Sequence, residues 1–312
     1  MMKRYEKFVF EAEKGVNFTT TDGLNGELIV RAFNMFLEID STKIVIAESY
    51  SKNYVDPPVP NGYRHVKGNW KTGFMIERKS DKSQFVWIPV GYLDLDGTLD
   101  GRNFSEKFGR RNYEREIFSE KEFNEEFNGE LFDQLKSVKK YGGFYISCYD
   151  IFCDKNNKPY SLPGMNPIVD IDFFAAKKLA RSLEDTETVK SHLMYGAEYD
   201  TVLAWILKSK AKTFEEVTVD SSSWGNYEFD RKSNKIVLTT ASSEETCVNN
   251  IYDFAGNIEE WTQEKKGTSD RVTRGSGNFI NNDNKYSVSY RDHYNPHMYY
   301  RGVGFRVSLW IA

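Results

Sequence analysis

The run Asn250-Ile251-Tyr252-Asp253-Phe254-Ala255-Gly256-Asn257-Ile258-Glu259-Glu260-Trp261 constrains this chain more than any other stretch. Gly256 and Asn257 are residue types that tolerate left-handed backbone, so a tight turn is expected there. Tyr252, Phe254, Ile258 and Trp261 can bury on either side of it. Asp253 and Glu260 bracket the turn, so two carboxylates and several carbonyls could converge on one point, the oxygen-rich set that a hard cation such as calcium takes. Two readings compete with the ion. The acids can be solvated groups beside a structural turn, or they can accept backbone N–H groups and pair with a base such as Arg274 or Arg306.

Asn-x-Tyr-Asp-x-x-Gly-Asn-x-x-Glu-Trp, followed by Arg274-Gly275 and then Gly304-Phe305-Arg306, resembles the C-terminal signature of the formylglycine-generating enzyme (sulfatase-modifying factor) family. The resemblance implies an α+β, loop-rich, C-type-lectin-like fold. It also implies calcium at the turn, with Asp253 and Glu260 as side-chain ligands and the carbonyls of Gly256 and Ile258 beside them.

The remainder of the chain fits that order. Residues 1–66 read as a small β-rich domain, with apolar strands at Val9-Phe10, Leu28 to Val30 and Ile44 to Ala47. Its expected role is attachment or oligomerisation, joining other virion or tail proteins, with homo-oligomerisation a further option. Asp56-Pro57-Pro58-Val59-Pro60-Asn61-Gly62 is the best linker, because its prolines stiffen the chain and remove backbone donors. The lectin-like domain is then 67–312. Within it, Gln84 to Val90 and Phe144 to Tyr149 read as strands. Leu131, Leu135 and Val138 mark a helix closing at Gly142-Gly143. Asp172 caps a helix from Phe173 to Leu183, and Ala197-Glu198-Tyr199-Asp200 opens an apolar helix resembling the family's Ala-Glu-Trp-Glu segment.

Asp94-Leu95-Asp96-Gly97-Thr98 matches the nucleophile motif of haloacid-dehalogenase-type phosphatases, but no βαβ pattern surrounds it, and Asp and Gly in series also form ordinary turns. Enzymes of the resembled family use two cysteines that bind copper just after the Arg-Gly block, and soft Cu(I) needs thiolates. Those positions here are Ile280 and about Lys285, so no copper and no catalytic residue is expected. Cys148, Cys153 and Cys247 cannot all pair, which argues against a disulfide framework, although Cys148 and Cys153 could join. His65, His192, His293 and His297 are too scattered for the histidine triad of the related sulfoxide synthases.

What remains is a binding scaffold. From Asn278 to Tyr300 the chain is dominated by Asn, Tyr, Asp, His and Ser, the mix of rigid aromatic area and adaptable hydrogen bonds that binding loops use. The ligand-contacting candidates are Asn278, Asn281, Asn282, Asp283, Asn284, Tyr286, Tyr290, Asp292, His293, Tyr294, Asn295, His297, Tyr299 and Tyr300. A polar irregular loop without a ligand is the alternative. The composition also resembles the variable segment of phage proteins diversified by a reverse-transcribing retroelement. That resemblance implies a prophage tail protein that binds a cell-surface protein or glycan. Two alternatives are an oxidase with an altered site and a structural virion protein. A net charge of −4 argues against nucleic acid. No apolar run reaches membrane-spanning length, and no leader opens the sequence given, so a virion or extracellular surface, or the cytoplasm, is the expected location.

Overall fold

A computed structural model describes residues 57–90, 108, 125, 129–227, 237–277 and 287–312, together with the backbone of five further strands. Four of those form a unit of their own, Met1–Asp56, as an antiparallel meander: β1 (Phe18–Thr20), β2 (Leu28–Ala32), β3 (Met35–Ile39) and β4 (Ile44–Glu48). The expected strand at Val9-Phe10 and the Asp94–Thr98 motif lie outside the described residues.

The second unit is Pro57–Ala312. It begins with β5 (Tyr63–Lys67), β6 (Met75–Arg78) and β7 (Gln84–Pro89), then β8 (Phe123–Asn124) and helix α1 (Gly129–Tyr141). Strands β9 (Gly143–Ser147), β10 (Phe152–Cys153) and β11 (Pro159–Tyr160) follow, then α2 (Phe173–Ser182), β12 (Val189–Leu193), α3 (Gly196–Lys208) and the short α4 (Phe214–Thr218). The last part is strand-rich: β13 (Cys247–Val248), β14 (Ile251–Tyr252), β15 (Glu259–Lys266), β16 (Asp270–Arg274), β17 (Asp292–Tyr294), β18 (Val303–Phe305) and β19 (Val307–Ile311). The unit boundary falls earlier than the expected 66/67. Tyr63 to Lys67 pair with Met75 to Arg78, so cutting after residue 66 would take from β6 its partner on the outer side, leaving only β7.

Six strands form the main sheet in the order β12-β19-β9-β7-β6-β5. Its central strands are apolar on both faces, as strands covered from two sides must be. Val86, Ile88, Phe144 and Ile146 point into one core with Val202, Leu203 and Trp205 of α3 and with Leu131 and Val138 of α1. Phe85, Trp87 and Tyr145 point into the other, against Phe173, Ala176 and Ala180 of α2. Helix α3 is buried nearly all round, which explains its unbroken apolar run. Asp172 does cap α2, accepting the Ala175 N–H at 2.9 Å. A second sheet, β17-β16-β15-β18 with β8 beside β15, carries the central turn and the C-terminal segment. Its β15–β18 pair is parallel, so β18 and the antiparallel β19 link the two sheets through Arg306.

Candidate functional site

The central turn forms as its residue types require. Asp253, Gly256 and Asn257 have φ of 54°, 86° and 60°. A Cβ on Gly256 would sit 2.4 Å from the Asn226 carbonyl oxygen. Asn257 fastens the neighbouring segment by accepting the Leu238 N–H at 2.9 Å. On this frame the acids take partners within the protein. Asp253 Oδ1 accepts from Asn226 Nδ2 (3.0 Å) and Thr246 Oγ1 (2.9 Å), and its Oδ2 accepts the Ala241 N–H at 2.8 Å. The Gly256 carbonyl accepts the Ile258 N–H at 2.8 Å. Glu260 Oε1 accepts from Arg306 Nε at 3.0 Å, leaving Glu260 Oε2 buried without a hydrogen bond.

Arg306 is fully buried and also donates to the Ser147 carbonyl (2.8 Å), Asp150 Oδ1 (2.9 Å) and the Tyr252 carbonyl (2.8 Å). Two carboxylates and two carbonyls are thus gathered around one positive charge, and the charge is a guanidinium. Burial opposes that charge, but Glu260 and Asp150 outweigh it and hold the Arg306 proton more tightly than in an ordinary arginine. Burial likewise raises the Asp150 carboxyl well above the usual range, against the pull of Arg306. Of the expected calcium ligands, Asp253 and the Gly256 carbonyl take partners within the protein, Glu260 is left with one unpaired buried oxygen, and the positive charge beside Glu260 is the Arg306 guanidinium. Arg274 is equally internal. It pairs with Asp200 at 2.9 Å and lies over the Tyr199 ring, while Arg291 bridges Asp200 (2.6 Å) and Glu264 (3.1 Å). Arg274, a signature arginine, and Arg291 together stitch α3 to the second sheet.

The Asn- and Tyr-rich segment divides into an anchored base and an exposed tip. Asn278, Asn281, Asn282, Asp283, Asn284 and Tyr286 lie outside the described residues. Tyr290 is half-buried before the edge strand β17. Asp292 accepts the His293 N–H at 2.8 Å, and the His293 ring meets Asp270 at 2.9 Å. Tyr294 and Tyr300 stack at 4.3 Å, and both present edges to the buried Trp261. The Tyr294 hydroxyl donates to Asp292 Oδ2 at 3.2 Å; burial first, then the Glu259 and Asp292 charges, push its pKa up. Tyr294 and Tyr300 are thus footings of the loop.

Between them the chain turns tightly. Asn295 Oδ1 accepts the His297 N–H at 3.0 Å, and the Pro296 carbonyl accepts the Phe173 N–H at 3.2 Å, locking the turn to the start of α2. The tip projects Met298 and Tyr299, 54% and 67% exposed, and the His297 ring lies 4.7 Å from Phe174, itself 47% exposed. His297 and Tyr299 were expected on this surface; Met298 and Phe174 were not. The Phe173-Phe174 doublet carried the signal, because consecutive helical residues cannot both face one core.

Sulfur chemistry finds no activated thiol among the described residues. All three cysteines are unpaired. Burial raises the Cys148 thiol, and burial with the nearby Asp154 pushes Cys153 up to about 11, so both are protonated at neutral pH. Among the described residues, no group of three or more His, Cys, Asp or Glu could hold a metal, and no helix is long and apolar enough to cross a membrane.

Two sheets, flanking helices and long connections held on internal arginines define a C-type-lectin-like domain. The chain belongs to the family described as the sulfatase-modifying factor enzyme 1-like domain, whose profile matches residues 148–309, more than half of it. Among solved structures it is similar to PvdO from Pseudomonas aeruginosa (13% identity, 78% of this chain and 100% of that one, TM-score 0.43). It is also similar to CarF (15% identity, 55% and 87%, TM-score 0.38) and to Treponema denticola variable protein 1 (12% identity, 95% and 99%, TM-score 0.28). No curated protein sequence matches it.

Proposed function

We propose that the chain is a non-catalytic binding protein that contacts a cell-surface protein or glycan receptor through the tip of its C-terminal segment. The observation that carries this reading is the contrast within 294–300. Tyr294, Asn295 and Tyr300 are spent on holding the turn, so His297, Met298 and Tyr299 are presented at little further entropy cost, with Phe174 beside them. Exposed aromatic and thioether side chains on a rigid base are typical of contact surfaces. Ile280 and Lys285 stand where the family's enzymes carry sulfur, and the thiols present are protonated, which supports binding rather than oxidation. A role as a phage or prophage tail protein, attached through residues 1–56 and located on a virion or extracellular surface, extends the same reading.

A cell-binding screen with labelled protein tests it. Tyr299→Ala combined with Phe174→Ala should lower retention on the responding cells at least tenfold while leaving the melting temperature unchanged. Retention that survives both changes removes the tip from the contact. Turnover of a Cys-containing peptide in the presence of copper would replace the binding reading with an enzymatic one.

A further inference from the structure

A second concave site, sharing no residue with the tip, lies between α1 and the β12–β19 edge of the main sheet. Its volume is about 600 Å³, within the range of small-molecule pockets. Along α1, Glu130, Asp133, Lys136, Ser137 and Lys140 line it at helical spacing, opposite Lys190 of the edge strand β12 and Trp310 of its neighbour β19. Trp310 is backed by the His192 ring at 4.7 Å, and Ile311 extends this carbon-rich wall.

Most charges around the rim cancel locally. Lys136 pairs with Asp133 at 2.9 Å, Lys190 with Asp185 at 2.5 Å, and Arg181 with Glu130 Oε1. Glu184 is engaged by Arg78 at 2.6 Å. Lys140 differs: its ammonium lies 4.7 Å over the Tyr141 ring, and no carboxylate reaches it among the described residues. Two further groups are unsatisfied. Ser137 is only 5% exposed and its Oγ has no hydrogen-bond partner; Glu130 Oε2 is buried and also lacks one. A buried hydroxyl and a buried carboxylate oxygen without partners are costly, and a ligand bearing O–H groups would satisfy both.

From these three features we infer that the cleft binds a small hydroxylated carboxylate: an anionic group on Lys140, hydroxyls donating to Glu130 Oε2 and exchanging with Ser137 Oγ, and a carbon face against Trp310. Sugar acids and short α-hydroxy acids share this chemistry. The cleft uses none of the residues of the proposed receptor contact.

The test is calorimetric titration of the full chain with glucuronate and with lactate, using glucose and acetate as single-feature controls. At least one hydroxylated acid should bind tenfold or more tightly than either control, and which one does separates the two sources. Lys140→Ala, at an exposed position, should weaken it about tenfold, the loss expected for one charge-assisted contact. Ser137→Leu should abolish it by filling the cleft, while Tyr299→Ala should leave it unchanged. No binding by either acid, equal binding by glucose, or binding insensitive to Lys140→Ala in a protein that melts normally would overturn the inference. Loss of binding in Tyr299→Ala as well would also overturn it, since the two sites would then not be independent.

Discussion

Replacing Arg306 with Met keeps most of the side chain's length and removes its charge. Four hydrogen bonds go with it, to Glu260, Asp150 and the carbonyls of Ser147 and Tyr252. Two of these acceptors are carboxyl groups within 1% of complete burial, so without Arg306 the variant must either strand their charge in the core or protonate them, and their hydrogen bonds are lost either way. Breaking a buried pair in this way costs about 3–5 kcal/mol. For a unit of this size that is a fall of about 6–20 °C in melting temperature. Thermal unfolding followed by circular dichroism measures it. A compensated triple variant, Arg306→Met with Asp150→Asn and Glu260→Gln, should recover more than half of the loss, because the stranded charges are gone. The same melts at about 5 mM calcium, above the dissociation constants of weak extracellular sites, separate the guanidinium from a metal ion. A loss below about 1 kcal/mol, where surface substitutions fall, would refute the reasoning. So would no recovery in the triple variant, or a wild-type melting temperature that calcium raises.

Other expectations follow from the same contacts. A chelator should leave the wild-type melting temperature where it was, which differential scanning calorimetry checks. Gly256→Ala, strained by its φ and by the Asn226 carbonyl, should destabilise by about 2 kcal/mol or more in denaturant titration. Asp172→Ala should cost about 1 kcal/mol in the same assay by uncapping α2. Cys153, pushed up to about 11, should react with iodoacetamide at pH 8 roughly a hundredfold more slowly than an ordinary thiol, as peptide mass mapping can follow. The sign of its linkage is also fixed: its contribution to stability is present below the ordinary thiol pKa and is lost as pH rises toward 11.

The helices and central strands were legible because their signals are local. The α1 stripe, the Asp172 cap and the alternation through Phe85–Ile88 each lie within a dozen residues. The turn at Asp253–Asn257 was legible in its backbone, and its charge balance only in part: Arg306 was among the bases named for the two acids, and Glu260 does pair with it, but the rest of the network was not. Nothing near Asp253 announces that Asn226, Ala241 and Thr246 will take its oxygens, and Asp150 reaches Arg306 across 156 residues of sequence. Such pairings depend on long-range packing, which no spacing rule encodes. The binding segment was legible as a composition, yet composition cannot distinguish a footing from a tip. Tyr294 and Tyr299 are the same residue type, and what separates their roles is that Tyr294 packs on Trp261 and Tyr300 while Tyr299 stays exposed.

The position of β19 between β12 and β9 governs how the protein can be made. Ser308 pairs with Ile146, so the middle of the main sheet waits for the ribosome to add the whole intervening stretch. At about 5–20 residues per second, that interval is on the order of 8–30 s. Throughout it β9 has an open hydrogen-bonding edge on the side that β19 will take; α1 is already made, but the cover from α2 and α3 is still to come. Nascent chains therefore pass through a sticky half-sheet, and a message truncated before Val307 would leave them there. Production should be limited by capture of that half-sheet, by chaperones or by neighbouring nascent chains, rather than by the stability of the finished domain.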